Sequence, residues 1–157
     1  MIIINMSKKI IITGGLGYIG TELCKLYSGV SWHHKITVID NRFISERVNQ
    51  IRNWNMRFIQ GDILDKNLVK KYCQDADVVH HLAGITDVPR VKNESNNDID
   101  NKIMLVAEQG TQNILDSISD KCKIILPSTH VVYEGLEKVK NDIREDEETK
   151  PVLAYAK

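Results

Sequence analysis

Three glycines at three-residue intervals, Gly14, Gly17 and Gly20 in the run TGGLGYIG, are the residues of this 157-residue chain whose type and spacing most plainly suit a chemical task. A pyrophosphate is held by backbone N–H groups at a helix N-terminus, and side chains in the turn would keep it away. Gly14 permits the tight turn, Gly17 the close approach and Gly20 the packing of helix against strand. The first interval is one residue longer than in the Gly-x-Gly-x-x-Gly form, and an ordinary strand-to-helix turn uses similar glycines, so context decides. Asp40, twenty residues beyond Gly20, ends the run KITVID. A carboxylate there accepts hydrogen bonds from ribose hydroxyls and repels a 2′-phosphate, so NAD is expected in preference to NADP. Arg42 lies two residues further on, close enough to soften that preference, though solvent is its expected neighbour. Asp62, in the pair Gly61-Asp62, is either a turn residue or a partner for the adenine edge.

Other reactive residues point nowhere as specific. His33-His34 and His80-His81 are adjacent pairs, which on a strand face opposite sides and cannot grip one metal together. His130 stands beside Ser128 and Thr129, but the Gly-x-Ser-x-Gly elbow of a hydrolase is absent. Cys24, Cys73 and Cys122 are odd in number and widely spaced, which fits reduced, structural thiols better than a disulfide framework or a metal knuckle.

The elements that must position the glycines recur along the chain. Short β-branched runs at 8–13, 35–40, 56–60, 76–83 and 123–128 predict five strands. Between them, segments at 19–29, 45–54, 67–74 and 97–119 space their apolar residues mostly three or four apart, as amphipathic helices do. Near-continuous apolar strands separated by helices predict a parallel sheet covered on both faces, because a parallel crossover takes about a dozen residues and is right-handed. The fold class is therefore α/β, a doubly wound sheet of Rossmann type, with the glycine turn after its first strand. The segment 134–157 is charged and broken by Pro151, and reads as a solvated loop leading into a further element.

Composition bounds the function. With 21 basic and 21 acidic residues and 42% hydrophobic content, the chain reads as one globular domain without the basic excess that nucleic acid or an anionic membrane requires. No apolar run approaches the ~20 residues of a membrane span, and the start MIIIN lacks the pattern of a secretory signal, so a cytoplasmic location is expected.

Several motifs in order carry a resemblance. TGGLGYIG at 13–20, VIDN at 38–41, GDI at 61–63, HLAG at 81–84, GTQNIL at 110–115, STHVVY at 128–133 and the approach to LAYAK at 153–157 are similar to those of the extended short-chain dehydrogenase/reductase family, the NAD-dependent epimerases and dehydratases of nucleotide sugars. The resemblance implies a cofactor site of Gly14, Gly17, Tyr18, Ile19, Gly20, Asp40, Asn41, Asp62, Ile63, Leu82, Ala83 and Gly84. It implies Thr129 as the hydroxyl that holds a sugar oxygen, with Ser128 as the alternative, and Tyr155 as the acid/base. A phenol ionises near pH ~10, so a neighbouring lysine and the positive nicotinamide must stabilise the phenolate before it accepts a proton near neutrality. In relatives the substrate is a nucleotide sugar, and two helices pair two copies, so a homodimer is a further expectation.

The chain also departs from the family pattern. The family lysine stands four residues after the tyrosine, at position 159, whereas Lys157 is two residues away and projects from another side of a helix. Family members are roughly twice as long, the remainder forming the last strands and a substrate domain. Residues 1–157 are therefore expected to be an incomplete NAD-binding Rossmann domain that binds NAD without turnover. A stand-alone NAD-sensing or protein-interaction module is the alternative. His130 and Val131 replace the acidic pair of the dehydratase branch, leaving epimerase, decarboxylase or reductase. Ala107 replaces an asparagine common in the fourth helix, Tyr133 is expected to pack near the cofactor, and Glu145 or Asp146 matches an acidic loop position.

Overall fold

The computed structural model describes residues 6–86, 97–136 and 142–157, excluding the side chains of Asn97 and Tyr155. The sequence readings of the N-terminal start and of part of the charged segment fall on 1–5 and 137–141, outside the described residues. The elements follow one another as β1 (Lys9–Thr13), α1 (Tyr18–Ser28), β2 (Lys35–Asp40), α2 (Ser45–Asn53), β3 (Arg57–Gln60), α3 (Lys66–Cys73), β4 (Val78–His81), α4 (Asn97–Leu115) and β5 (Lys123–Ile125). The sheet order is β3-β2-β1-β4-β5 and every pairing is parallel. The reversal of direction after β1 and β3 puts a crevice at the C-terminal ends of β1 and β4, where open α/β sheets bind ligands.

Side-chain alternation along the strands sorts the core into two layers. Ile10, Ile12, Ile36 and Val38 pack with Cys24, Val48 and Ile51 from α1 and α2. On the other face Ile11, Ile39 and Val79 meet Val69, Cys73 and Ile114 from α3 and α4. Ile11, Ile12, Val38 and Val79 are wholly buried, and each such side chain contributes about 1.5–3 kcal/mol by leaving water. Burial pushes the Cys24 thiol up to about 12 and the Cys73 thiol up to about 11, so both are inert packing groups.

The strands are shorter than the sequence pattern suggests, for local reasons. Asn55 has φ +58°, and the Met56 N–H turns back to the Ile51 carbonyl at 3.2 Å, so β3 opens at Arg57. β4 ends at His81, not at Ala83: the Leu82 N–H makes the last ladder bond, to the Thr13 carbonyl (3.1 Å), after which β1 turns away at Gly14 (φ +68°) and the Ala83 N–H goes to the Thr13 side chain, Oγ1, at 3.3 Å. β5 stops at Ile125, two residues before Pro127, which has no N–H to give a ladder. Among the described residues, no helix is long and apolar enough to cross a membrane.

Candidate functional site

The glycine turn is built from β1 outward, and its three glycines have separable tasks. Gly14 has φ +68°, and a Cβ on it would lie 2.6 Å from the Leu82 carbonyl group and the Ala83 nitrogen. At Gly20 a Cβ would lie 2.5 Å from the Gly14 carbonyl oxygen, so α1 presses directly on the turn. Gly17 differs, because its Cβ would meet only the Gly14 oxygen at 3.1 Å and the Arg42 guanidinium at 4.0 Å. Gly14 and Gly20 therefore serve the fold, and Gly17 keeps a surface open.

That surface is the start of α1. Gly17 precedes the helix, no side chain caps it, and its first turn carries no acidic residue. Thr21 N–H bonds the Gly17 oxygen at 3.0 Å, leaving the N–H groups of Tyr18, Ile19 and Gly20 without an acceptor inside the helix. The side chains of Tyr18 and Ile19 beside them are 85% and 60% exposed. Unpaired donors at the positive end of a helix dipole, on a turn whose one side chain, Leu16, is buried in the core, fit the diphosphate of a dinucleotide.

Asp40 lies beneath this turn. Its side chain is 4% exposed, with Oδ2 accepting from the Leu16 N–H (2.9 Å) and Oδ1 from the Arg42 N–H (3.0 Å) and Nε (3.2 Å). Arg42, expected to face solvent alone, pairs with Asp40 while remaining 57% exposed. Arg47 of α2 donates to the Leu16 carbonyl. The adjacent Asn41 donates from Nδ2 to Asp62 Oδ2 at 3.1 Å, and Asp62 Oδ1 accepts from the Leu64 N–H at 2.9 Å. Asp62 is thus a turn residue that also ties the ends of β2 and β3 together. Ile63 is buried against Gly110, so what it offers a ligand is main chain. Leu82 and Ala83 are half-buried over Gly14, and Gly84 is exposed with open space where a Cβ would stand.

The run GTQNIL acquires a physical reading that the sequence alone did not supply. A Cβ at Gly110 would lie 2.3 Å from the Ile63 side chain, Thr111 Oγ1 meets His81 Nε2 at 3.0 Å, and Asn113 Nδ2 donates to the carbonyls of Ile63 (2.9 Å) and Leu64 (3.3 Å). One face of α4 therefore fixes both the loop after β3 and the end of β4. His81 Nδ1 in turn meets Thr13 Oγ1 at 2.9 Å, joining β1, β4 and α4 below the glycine turn. Burial lowers the His81 pKa to about 4, so the ring is neutral near pH 7. His80 points to the other face, where Nε2 meets Tyr27 Oη at 2.8 Å, as the alternation of a strand requires. The signal for this network was the polar pair inside an apolar strand.

Thr129 lies beyond β5 and opens a 3₁₀ turn at His130–Tyr133, its Oγ1 accepting from the Val131 N–H at 3.3 Å. It is half-buried, and Ser128 is exposed. Tyr133, expected near the cofactor, donates from Oη to the Glu145 carbonyl at 3.4 Å. Tyr155 falls in a short 3₁₀ turn, Ala154–Ala156, and its side chain lies outside the described residues. The approach to it is not the free loop its composition suggests. Glu134 Oε1 accepts from the N–H groups of Val152 (3.0 Å) and Leu153 (2.6 Å), and the Lys150 N–H bonds the Val132 oxygen at 2.7 Å. The segments carrying Thr129 and Tyr155 are laced together, with Lys157 exposed at the end of the second turn.

Residues 11–156 match the 3-beta hydroxysteroid dehydrogenase/isomerase family. A UDP-N-acetyl-alpha-D-glucosaminuronate decarboxylase of Bacillus cytotoxicus is 34% identical over 130 residues, 82% of this chain and 38% of that protein. A UDP-N-acetylglucosamine 4-epimerase from Methanobrevibacter ruminantium, solved with UDP-N-acetylmuramic acid, superposes with a TM-score of 0.75 at 25% identity over 96% of this chain and 46% of that one. A UDP-glucose-4-epimerase from Stenotrophomonas maltophila, solved with NAD, shares the fold with a TM-score of 0.75 at 21% identity over 95% of this chain and 44% of that one. The chain thus spans less than half the length of each of these three proteins.

Proposed function

The chain belongs to the extended short-chain dehydrogenase/reductase family, and from that premise we propose that it is the NAD-binding part of an oxidoreductase that modifies nucleotide sugars. The observation that carries the reading is the uncapped start of α1 over Gly17, with no acidic residue in its first turn. In this reading the N–H groups of Tyr18, Ile19 and Gly20 bind the diphosphate, and the crevice between Asp40, Asn41 and Asp62 takes the adenosine. The ends of β1 and β4, held by Thr13 and His81, seat the remainder of the dinucleotide along Leu82, Ala83 and Gly84. NAD bound there would supply a reversible hydride acceptor, with Thr129 holding a sugar hydroxyl and Tyr155 taking the proton of that hydroxyl. His130 and Val131 after Thr129 favour epimerisation, decarboxylation or reduction over 4,6-dehydration. Within these 157 residues the proposed activity is cofactor binding. Ile99 and Leu105, exposed on α4, suit the homodimer contact.

NAD should raise the unfolding temperature of the chain. At about 100 times Kd a ligand adds ~2.7 kcal/mol, equivalent to roughly 5–10 °C for a domain of this size. ADP-ribose, which retains the diphosphate and both riboses, should give most of that shift and nicotinamide mononucleotide little. Equal shifts from both, or none from NAD, would count against the assignment.

A further inference from the structure

We infer that Arg42, through its pair with Asp40, makes this site accept NADP as well as NAD; the inference rests on the dinucleotide reading above and names the residue that sets its selectivity. An acid at the end of β2 excludes NADP when its carboxylate faces the ribose and meets the 2′-phosphate with a like charge. Here the carboxylate does not face outward. Asp40 is 4% exposed, one oxygen holds the Leu16 N–H and the other holds the Arg42 N–H and Nε. The group presented above it is the Arg42 guanidinium, 57% exposed and 4.0 Å from the position a Cβ would take at Gly17. It therefore stands over the phosphate turn, on the side where Asp40 would meet the adenosine ribose.

Two properties of this arrangement favour a phosphate. The guanidinium offsets the Asp40 charge at hydrogen-bond distance, so the repulsion that rejects NADP is reduced. Its planar fork carries five N–H donors, of which Nε–H is engaged by Asp40, and such a fork matches phosphate oxygens. Arg47, anchored on the Leu16 carbonyl, adds a second cation on the same turn. Asp62 is the other acid nearby, and its Oδ2 is occupied by Asn41. The acid thus acts as an anchor that aims the arginine, and the arginine faces the nucleotide.

The test is a calorimetric titration of the chain, of Arg42→Leu and of Arg42→Lys with NAD and with NADP at one ionic strength, with thermal unfolding as a control for folding. The wild-type chain should bind NADP within about tenfold of NAD, and Arg42→Leu should weaken NADP by at least about tenfold while changing NAD by less than about threefold. Arg42→Lys should keep more NADP affinity than Arg42→Leu, and added salt should weaken NADP more steeply than NAD. A wild-type preference for NAD beyond about tenfold, or an equal loss of both nucleotides in Arg42→Leu, overturns the inference and leaves the NAD reading standing. A folded wild-type chain that binds neither nucleotide removes both.

Discussion

At the scale of single residues, the glycine turn separates folding from binding. Gly14 combines φ +68° with backbone atoms 2.6 Å from a hypothetical Cβ. Gly14→Ala should therefore cost at least about 1–2 kcal/mol from the left-handed conformation alone, with the clash in addition, visible as a lower urea midpoint. A stability change within ~0.5 kcal/mol would show that the turn is not built as described. His81 belongs to the same scale. Its pKa falls from 6.5 to about 4 because burial disfavours the charged ring, so the unfolded chain binds the extra proton more readily. This contribution to stability is therefore fully present above pH 6.5 and is lost as pH falls toward 4. Across that window the loss amounts to about 3 kcal/mol, and His81→Gln should flatten that part of a stability-against-pH profile. A wild-type profile that is level between those pH values would contradict the buried, neutral ring.

At the scale of elements, α4 is the strut of the site. Asn113 satisfies the carbonyls of Ile63 and Leu64, and removing it leaves two acceptors under the helix unmatched. Asn113→Ala should cost about 1–3 kcal/mol in denaturant unfolding, and faster amide exchange should be confined to the loop after β3. Exchange that accelerates evenly through the sheet would argue against this local role. The alternation of strands with helices was legible in the sequence because period-2 and period-3.6 patterns report burial directly, and β1, β2 and the cores of all four helices lie where those patterns put them. The start of β3 and the end of β4 were not legible. Met56 and Leu82 look like strand residues by type, and only tertiary contacts set the ends there, the Met56 N–H turning back to Ile51 and the Ala83 N–H to Thr13 Oγ1; Pro127, a strand breaker by type, marked the end of β5 in the sequence itself. For the same reason Asp40 and Arg42 could be named but not paired, since two residues on a turning chain have no fixed relation until the turn is built. Asn113 and His81 gave only the weak signal of polar residues within apolar runs.

At the scale of the whole molecule, the doubly wound sheet brings four loops to one edge. The glycine turn after β1, Asp40 to Arg42 after β2, Asp62 after β3 and Leu82 to Gly84 after β4 all leave the C-terminal ends of their strands, and the order β3-β2-β1-β4-β5 sets them side by side. That edge is where a dinucleotide is expected to lie across β1, its diphosphate on α1. Titration calorimetry with NAD reads this binding without an intermediary. One NAD per chain should bind the wild type, and Gly17→Ala should weaken that binding at least about tenfold while the chain stays folded, because a Cβ there stands on the diphosphate side and meets only the Gly14 oxygen at 3.1 Å and the Arg42 guanidinium at 4.0 Å. A folded wild-type chain that takes up no NAD, or a Gly17→Ala chain that binds it unchanged, would rule this site out.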